Sequence, residues 1–122
     1  MIKALILVGL GGGVGSILRY LASTVVTKYV HTLFPLGTFL VNISGCLLIG
    51  LLSAFLTRQP VDGPDLRLLF LTGFCGGYTT FSTFSAENIQ LFQSGHAWIA
   101  VWYTAASVLA GLLAVWVGTK AW

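Results

Sequence analysis

The sequence predicts an all-α membrane protein with four transmembrane helices, the third of which is broken near Gly76–Thr79. The composition and the distribution of charges along the chain lead to this prediction. Of the 122 residues, 57% are hydrophobic and only 7% are charged, whereas ordinary soluble domains carry roughly 25% charged residues. Formal charges are also absent from stretches long enough to cross a bilayer, which takes about 20 apolar residues per helix.

The composition excludes several classes of protein. A chain of 122 residues has too much surface for its size to bury so many apolar side chains as a soluble monomer. Its six basic residues give a net charge of +3 but are scattered, so they form no patch for nucleic acid. The two cysteines have no metal-binding spacing, and no catalytic triad or phosphate loop is present. We expect one domain, residues 1–122, in a lipid bilayer, without nucleic acid or enzymatic activity.

The first predicted helix runs from Ile2 to Lys28. It contains one internal charge, Arg19, and a charge inside a membrane helix marks a functional site by default. No acidic residue in this helix can pair with Arg19, so we expect a structural role in which the guanidinium donates to exposed carbonyls of a broken helix. Glycines spaced four apart allow close helix packing in lipid, and the helix has two such pairs, Gly9/Gly13 and Gly11/Gly15.

The second predicted helix runs from Gly37 to Thr57, after a loop that ends at Pro35. Thr38, Asn42 and Gly45 lie at positions i, i+4 and i+7 and therefore share one face. A side-chain amide at membrane depth is costly unless it is paired. Asn42 either binds two helices together or offers its NH2 group to a permeating anion, and the sequence leaves both interpretations open.

The third predicted helix runs from Leu68 to Phe92, after a polar turn at Arg58–Arg67. Its centre is rich in glycine and β-branched threonine, which disfavour a helix, and we expect the break near Gly76–Thr79. Backbone groups left unpaired in lipid cost several kcal/mol each, so such a break persists only where protein, water or an ion satisfies them. Broken membrane helices often provide ion sites; the alternative is a glycine-rich packing face.

Two phenylalanines follow the predicted break. Phe81 and Phe84 are three residues apart, so their side chains lie on one face of a helix. The edge of a benzene ring carries a partial positive charge and can face an anion without a full positive charge that would hold it too tightly. The alternative is that both rings only pack against other apolar side chains.

The fourth predicted helix runs from Ala97 to Lys120, after a short link at Gln93–His96. Tyr103 and Ser107 are four residues apart and share a face. Their hydroxyls either line a polar track or bond to the backbone of their own helix. Glu87, near the end of the third helix, is interpreted as a charge at the membrane interface.

These motifs together resemble the Fluc (CrcB-type) family of fluoride channels over nearly the full length of the chain. The family's glycine-rich element and arginine match Gly11–Ser16 and Arg19-Tyr20. Its G-T-x-x-V-N-x-x-G element matches Gly37–Gly45. Its long G-x-C-G-G-x-T-T-F-S-T-F-S element matches Gly73–Ser85 in full.

The resemblance implies a passive, fluoride-selective channel in the inner (plasma) membrane of the cell, which exports cytoplasmic fluoride and protects the cell from its toxicity. It implies an antiparallel dual-topology homodimer with two fluoride pathways. It further implies a structural sodium ion at the centre of the dimer, bound by the backbone carbonyls of Gly76 and Thr79 from both subunits.

The resemblance also assigns side chains to each pathway. Phe81 and Phe84 would line it, and Asn42 would donate to the fluoride ion. The remaining members form the polar track: Thr38, Ser82, Tyr103 and Ser107. Where some relatives extend the track by another hydroxyl, this chain has Gly111.

Two alternatives are less consistent with the sequence. A small four-helix dual-topology multidrug exporter needs a carboxylate in its first membrane helix, and this chain has none there. A non-transporting assembly subunit explains the glycine faces but not the broken third helix. The distribution of Lys and Arg favours cytoplasmic termini, in tension with dual topology, but six scattered charges carry less weight than the long motif.

Overall fold

The computed structural model describes residues 1–59 and 63–122, and every regular element in these two ranges is helical. Three long helices are α1 (Ile2–Tyr29), α2 (Leu36–Thr57) and α6 (Ala97–Thr119). Between α2 and α6, a short helix α3 (Gly63–Leu66) continues into a π-helix, π1 (Arg67–Cys75), and then into α4 (Gly76–Tyr78). After a break of two residues, α5 (Phe81–Gln93) completes this part of the chain.

The chain is a multi-pass membrane protein. Helices α1, α2 and α6 are long and apolar enough to span a bilayer, and the interrupted segment from α3 to α5 forms a fourth, bent helical segment. Large apolar side chains cover the outside of the molecule; Leu109 on α6, for example, is 69% exposed. An apolar exterior of this extent requires lipid or further protein around it.

Tryptophan side chains lie at both ends of α6. Trp98 and Trp102 are exposed near its start, and Trp116 is exposed near its end, where the Lys120 ammonium lies 5.8 Å from the centre of its ring. Trp98 and Trp116 are about 27 Å apart along a helix that rises 1.5 Å per residue. Because tryptophan concentrates at membrane interfaces and the hydrocarbon core is about 30 Å thick, α6 spans the core once.

The predicted boundaries of the first, second and fourth helices are confirmed to within one residue. The predicted polar turn at Arg58–Arg67 is wrong in its second half, because the helix begins at Gly63. Pro64 is tolerated in a first helical turn, where its missing N–H has no partner to lose. Asp65 in the same turn is favoured by the helix dipole and forms a 2.6 Å ion pair with Lys3.

The part of that predicted turn formed by Pro60, Val61 and Asp62 lies outside the described residues.

Helix α1 packs backbone to backbone against π1. Gly11 and Gly15 are buried, and a Cβ atom on either would overlap a carbonyl oxygen, that of Leu69 or of Phe74 respectively. This confirms the packing role of one predicted glycine pair. Among the described residues, a Cβ atom on Gly9 or Gly13 would meet nothing within 4 Å, so the Gly9/Gly13 pair packs against no neighbouring helix there.

The break in the third helix lies at Thr79 and Thr80. Both have extended backbones, with φ −83° and ψ 156° at Thr79 and φ −148° and ψ 116° at Thr80. Gly76, where the predicted break begins, is right-handed helical at φ −63° and ψ −36°. The Thr80 hydroxyl accepts the N–H of Thr83 at 3.2 Å and so caps the start of α5.

Candidate functional site at the helix break

The amide of Asn42 on α2 binds both backbone polar groups of Thr80. Its Oδ1 accepts the Thr80 N–H at 2.8 Å, and its Nδ2 donates to the Thr80 carbonyl at 3.1 Å. A break in lipid is thus satisfied by a side chain of the neighbouring helix, which avoids the cost of unpaired backbone groups. The interpretation of Asn42 as a link between helices is confirmed. Its second N–H remains for another acceptor, so its role as a fluoride donor stays a prediction.

The break releases two particular carbonyls from helical hydrogen bonding. In a continuous helix the Gly76 carbonyl would accept the N–H of Thr80, but that N–H donates to Asn42 instead. The Thr79 carbonyl would accept the N–H of Thr83, which donates to the Thr80 hydroxyl instead. Gly76 and Thr79 are the two residues whose carbonyls the resemblance assigns to sodium.

A cavity of about 410 Å³ opens beside the break, and we call it the phenylalanine cavity. The rings of Phe81 and Phe84 lie 5.7 Å apart at an angle of 41°. Phe81 is 79% exposed, whereas Phe84 also contacts Tyr103, with 4.9 Å between ring centres and an interplanar angle of 62°. The cavity lining includes Asn42, Gly76, Thr79, Phe81, Phe84 and Ser107.

Ser107 contributes an unpaired hydroxyl to this cavity. A serine inside a helix often donates to a carbonyl of the preceding turn. The Ser107 Oγ is buried and has no hydrogen-bond partner within residues 1–59 and 63–122. An unpaired buried hydroxyl costs free energy unless an acceptor from outside the chain reaches it, so Ser107 is placed to bind a small acceptor in the phenylalanine cavity.

Glu87 is a site residue that the sequence analysis missed. Instead of a solvated interfacial charge, its carboxylate lies between α2 and α6, where Thr38 Oγ1 donates to Oε2 and Tyr103 Oη donates to Oε1, each at 2.9 Å. The spacing of Thr80, Phe84 and Glu87 at i, i+4 and i+7 places the three on one face. That spacing is the sequence signal that could have identified Glu87.

Two further cavities connect this carboxylate to the break. The glutamate cavity, about 560 Å³, is lined by Thr38 and Glu87 among others. The arginine cavity, about 220 Å³, is lined by Arg19, Thr38 and Thr80. Because Thr38 borders both of these and Thr80 borders both the arginine and the phenylalanine cavities, polar side chains continue from one cavity to the next.

Arg19 and Ser82 are placed differently from the other predicted residues. In the ranges that the structure describes, the Arg19 guanidinium makes no hydrogen bond with a carbonyl of the break, although Arg19 and Thr80 both line the arginine cavity. Ser82 is exposed, with its Oγ 3.3 Å from the Thr80 hydroxyl. The structural role of Arg19 and the pathway role of Ser82 stay predictions.

Comparison with known proteins decides the family. The family model described as "CrcB-like protein, Camphor Resistance (CrcB)" matches residues 6–119. The chain belongs to the CrcB-like family.

Relatives match this CrcB-like chain over nearly its full length. It is 53% identical over 116 residues, 95% of the chain and 94% of the relative, to a protein of Flavobacterium psychrophilum named fluoride-specific ion channel FluC. Proteins with the same name from Azobacteroides pseudotrichonymphae and Phocaeicola vulgatus are 42% and 47% identical over 97% and 95% of this chain, and over 94% and 95% of their own lengths. The family resemblance found in the sequence is confirmed.

The chemistry of the CrcB-like site suits ions. The phenylalanine cavity offers an amide N–H, a hydroxyl donor and ring edges, which favour a small anion that accepts hydrogen bonds. The carbonyls of Gly76 and Thr79 are hard oxygen ligands, which favour a hard cation. Among the described residues, no group of three or more His, Cys, Asp or Glu side chains is arranged to bind a metal ion.

Proposed function

We propose that the chain is a passive, fluoride-selective channel of the inner (plasma) membrane, which exports cytoplasmic fluoride and protects the cell from fluoride toxicity. The observation that carries the proposal is the buried, unpaired hydroxyl of Ser107 in the cavity lined by Phe81 and Phe84. The names of the relatives, fluoride-specific ion channels, support the same ion. A four-helix multidrug exporter is not favoured, because α1 lacks a carboxylate.

The need for such a channel follows from the chemistry of a weak acid. Neutral hydrogen fluoride crosses a bilayer from acidic surroundings and ionises in a neutral cytoplasm, where the anion is trapped. A passive pathway lets the anion leave down its electrochemical gradient without ATP. Ring edges and uncharged donors bind fluoride weakly enough to release it, whereas a full positive charge would retain it.

The polar side chains of the three cavities define the proposed route. Fluoride passes the break at Thr80, which borders both the arginine and the phenylalanine cavities, and reaches the ring edges and Ser107 in the phenylalanine cavity. The hydroxyls of Thr38 and Tyr103 both point at Glu87. An entering fluoride ion therefore competes with a carboxylate for these two donors.

Fluoride efflux from liposomes that contain the purified protein tests the proposal. We expect fluoride to leave the vesicles rapidly. We expect it to be preferred over chloride, because uncharged donors in a narrow site favour the halide that accepts the strongest hydrogen bonds. Chloride efflux should stay at the level of protein-free vesicles, which serve as the control. Equal rates for the two halides would contradict the proposed selectivity.

We also propose that two chains form an antiparallel dual-topology homodimer with two pathways and a central sodium ion. Support comes from the carbonyls of Gly76 and Thr79, which lose their helical partners at the break. It comes also from the exposure of Gly76 and Phe81 on this side of the chain, where a second copy would cover them. Sodium would be coordinated by these carbonyl oxygens and so join the two subunits.

Replacement of sodium by a bulky organic cation during purification tests the central ion. We expect the dimer to dissociate and fluoride efflux to fall, since a ligand that binds only the folded assembly stabilises it by mass action. Dimer content is measured by cross-linking, independently of transport, and added sodium should restore both. An intact dimer with full efflux after purification entirely without sodium would overturn the structural role.

A further inference from the structure

Asn88 on α5 connects the backbone of Phe84 to α6. Its Nδ2 donates to the Phe84 carbonyl at 3.0 Å, and its Oδ1 accepts the hydroxyl of Thr104 at 3.1 Å. Asn88 is only 8% exposed, and a buried amide is costly unless both of its ends are paired. The two bonds thus form a continuous link from Thr104 to the residue that carries one of the pathway rings.

A second bond between the same two helices lies directly beside this link. Tyr103 donates to Glu87 at 2.9 Å, so that consecutive residues of α5, Glu87 and Asn88, bond to consecutive residues of α6, Tyr103 and Thr104. The ring of Tyr103 also contacts the ring of Phe84. The polar link and the ring contact together fix the rotation and the height of α5 against α6.

Helix α5 needs this fixation because the break interrupts its connection to α4. It has 13 residues, and a helix of this length is marginal on its own, so its stability depends on tertiary packing. The Asn42–Thr80 bonds hold its first turn, but they lie before Phe81. Rotation of α5 about its axis would carry the ring of Phe84 away from Tyr103 and change the shape of the phenylalanine cavity.

We infer that Asn88 and Thr104 are positioning residues for fluoride permeation, which act through the orientation of Phe84. The inference rests on the proposed function. It differs from a purely structural bond between helices, because it ties the Thr104 hydroxyl to the rate and selectivity of transport and not only to stability.

The test compares variants at position 104 with a matched bond elsewhere. Thr104→Val keeps the shape of the side chain but removes its hydroxyl, and Thr104→Ser keeps the hydroxyl. The control is Ser44→Ala, which removes a 3.0 Å bond between the side chains of Ser44 and Tyr78 on other helices and a 3.1 Å bond from Ser44 to the Val41 carbonyl; neither Ser44 nor Tyr78 lines the phenylalanine cavity. Fluoride efflux, the ratio of fluoride to chloride efflux and the melting temperature are measured for each.

We expect Thr104→Val to lower fluoride efflux by about tenfold and to reduce the fluoride-to-chloride ratio, since a displacement of about 1 Å in a positioned group can change a rate by this much or more. Thr104→Ser should retain both, and Ser44→Ala should alter melting alone. In the double variant Asn88→Ala with Thr104→Val, the losses should not add, because both changes break one link.

Three results separate the possible failures. If the unmodified protein does not conduct fluoride, the proposed function fails. If it conducts and Thr104→Val changes only the melting temperature, the bond is structural and the inference is overturned. If Thr104→Val and Ser44→Ala reduce efflux equally, the effect is a general loss of stability, which also overturns it.

Discussion

Replacement of Phe81 or Phe84 by isoleucine is expected to remove most fluoride efflux while the chain remains folded. Isoleucine keeps apolar bulk but lacks the positive ring edge that would face the anion. A loss of about 1.4 kcal/mol at the barrier lowers a rate tenfold, and we expect at least that for each variant. Efflux from liposomes at equal protein content measures the effect.

The two phenylalanine variants should differ in stability. Phe81 is largely exposed, whereas Phe84 packs against Tyr103, so Phe84→Ile should melt at the lower temperature. Phe92→Ile is the matched control, because Phe92 is an exposed phenylalanine of the same helix outside the phenylalanine cavity lining. Wild-type efflux in both pathway variants would show that the rings only pack.

Asn42→Asp is expected to abolish fluoride efflux and to weaken the break. The carboxylate still accepts the Thr80 N–H but no longer donates to the Thr80 carbonyl, and an unpaired buried carbonyl costs about 1–3 kcal/mol. It also introduces a negative charge where an anion would pass, at a depth where charges are expensive. Efflux and thermal melting in detergent separate the two effects.

Asn42→Ala provides the comparison, because it removes both bonds to Thr80 without adding a charge. If repulsion dominates, the alanine variant conducts more than the aspartate variant although it melts at a similar temperature. Near-normal fluoride efflux through a well-folded aspartate variant would exclude Asn42 from the pathway and leave it only its bonds to Thr80.

The sequence predicts the long helices well and the details of the break less well. Long, largely apolar stretches determine α1, α2 and α6, so the ends of these helices follow from where the stretches stop in the sequence. The break was expected from glycine content, yet Gly76 is helical and the extended residues are Thr79 and Thr80. The position of the break depends on Asn42, 38 residues away from Thr80. Local helix propensity cannot predict a contact over that distance.

The environment of Glu87 also depends on residues that are distant in the sequence. Its two partners are 49 and 16 residues away in the sequence, on α2 and α6, so local pattern gives only the face on which the carboxylate lies. Of the seven side chains that the resemblance assigns to the pathway, four line one cavity: Asn42, Phe81, Phe84 and Ser107. Local helix propensity also does not predict the π-helix. That helix packs against Gly11 and Gly15 of α1, which are distant in the sequence.

The tryptophans at the two ends of α6 determine how deep the chain sits in the bilayer but not which way it points. Tryptophan is favoured at both membrane–water interfaces. Insertion of the helix in the opposite direction therefore leaves the anchoring free energy nearly unchanged. The sense of insertion then depends on the charges at the helix ends alone. Lys3 pairs with Asp65 at one end, but acidic residues contribute little to the sense of insertion, so the few Lys and Arg side chains near the helix ends decide it.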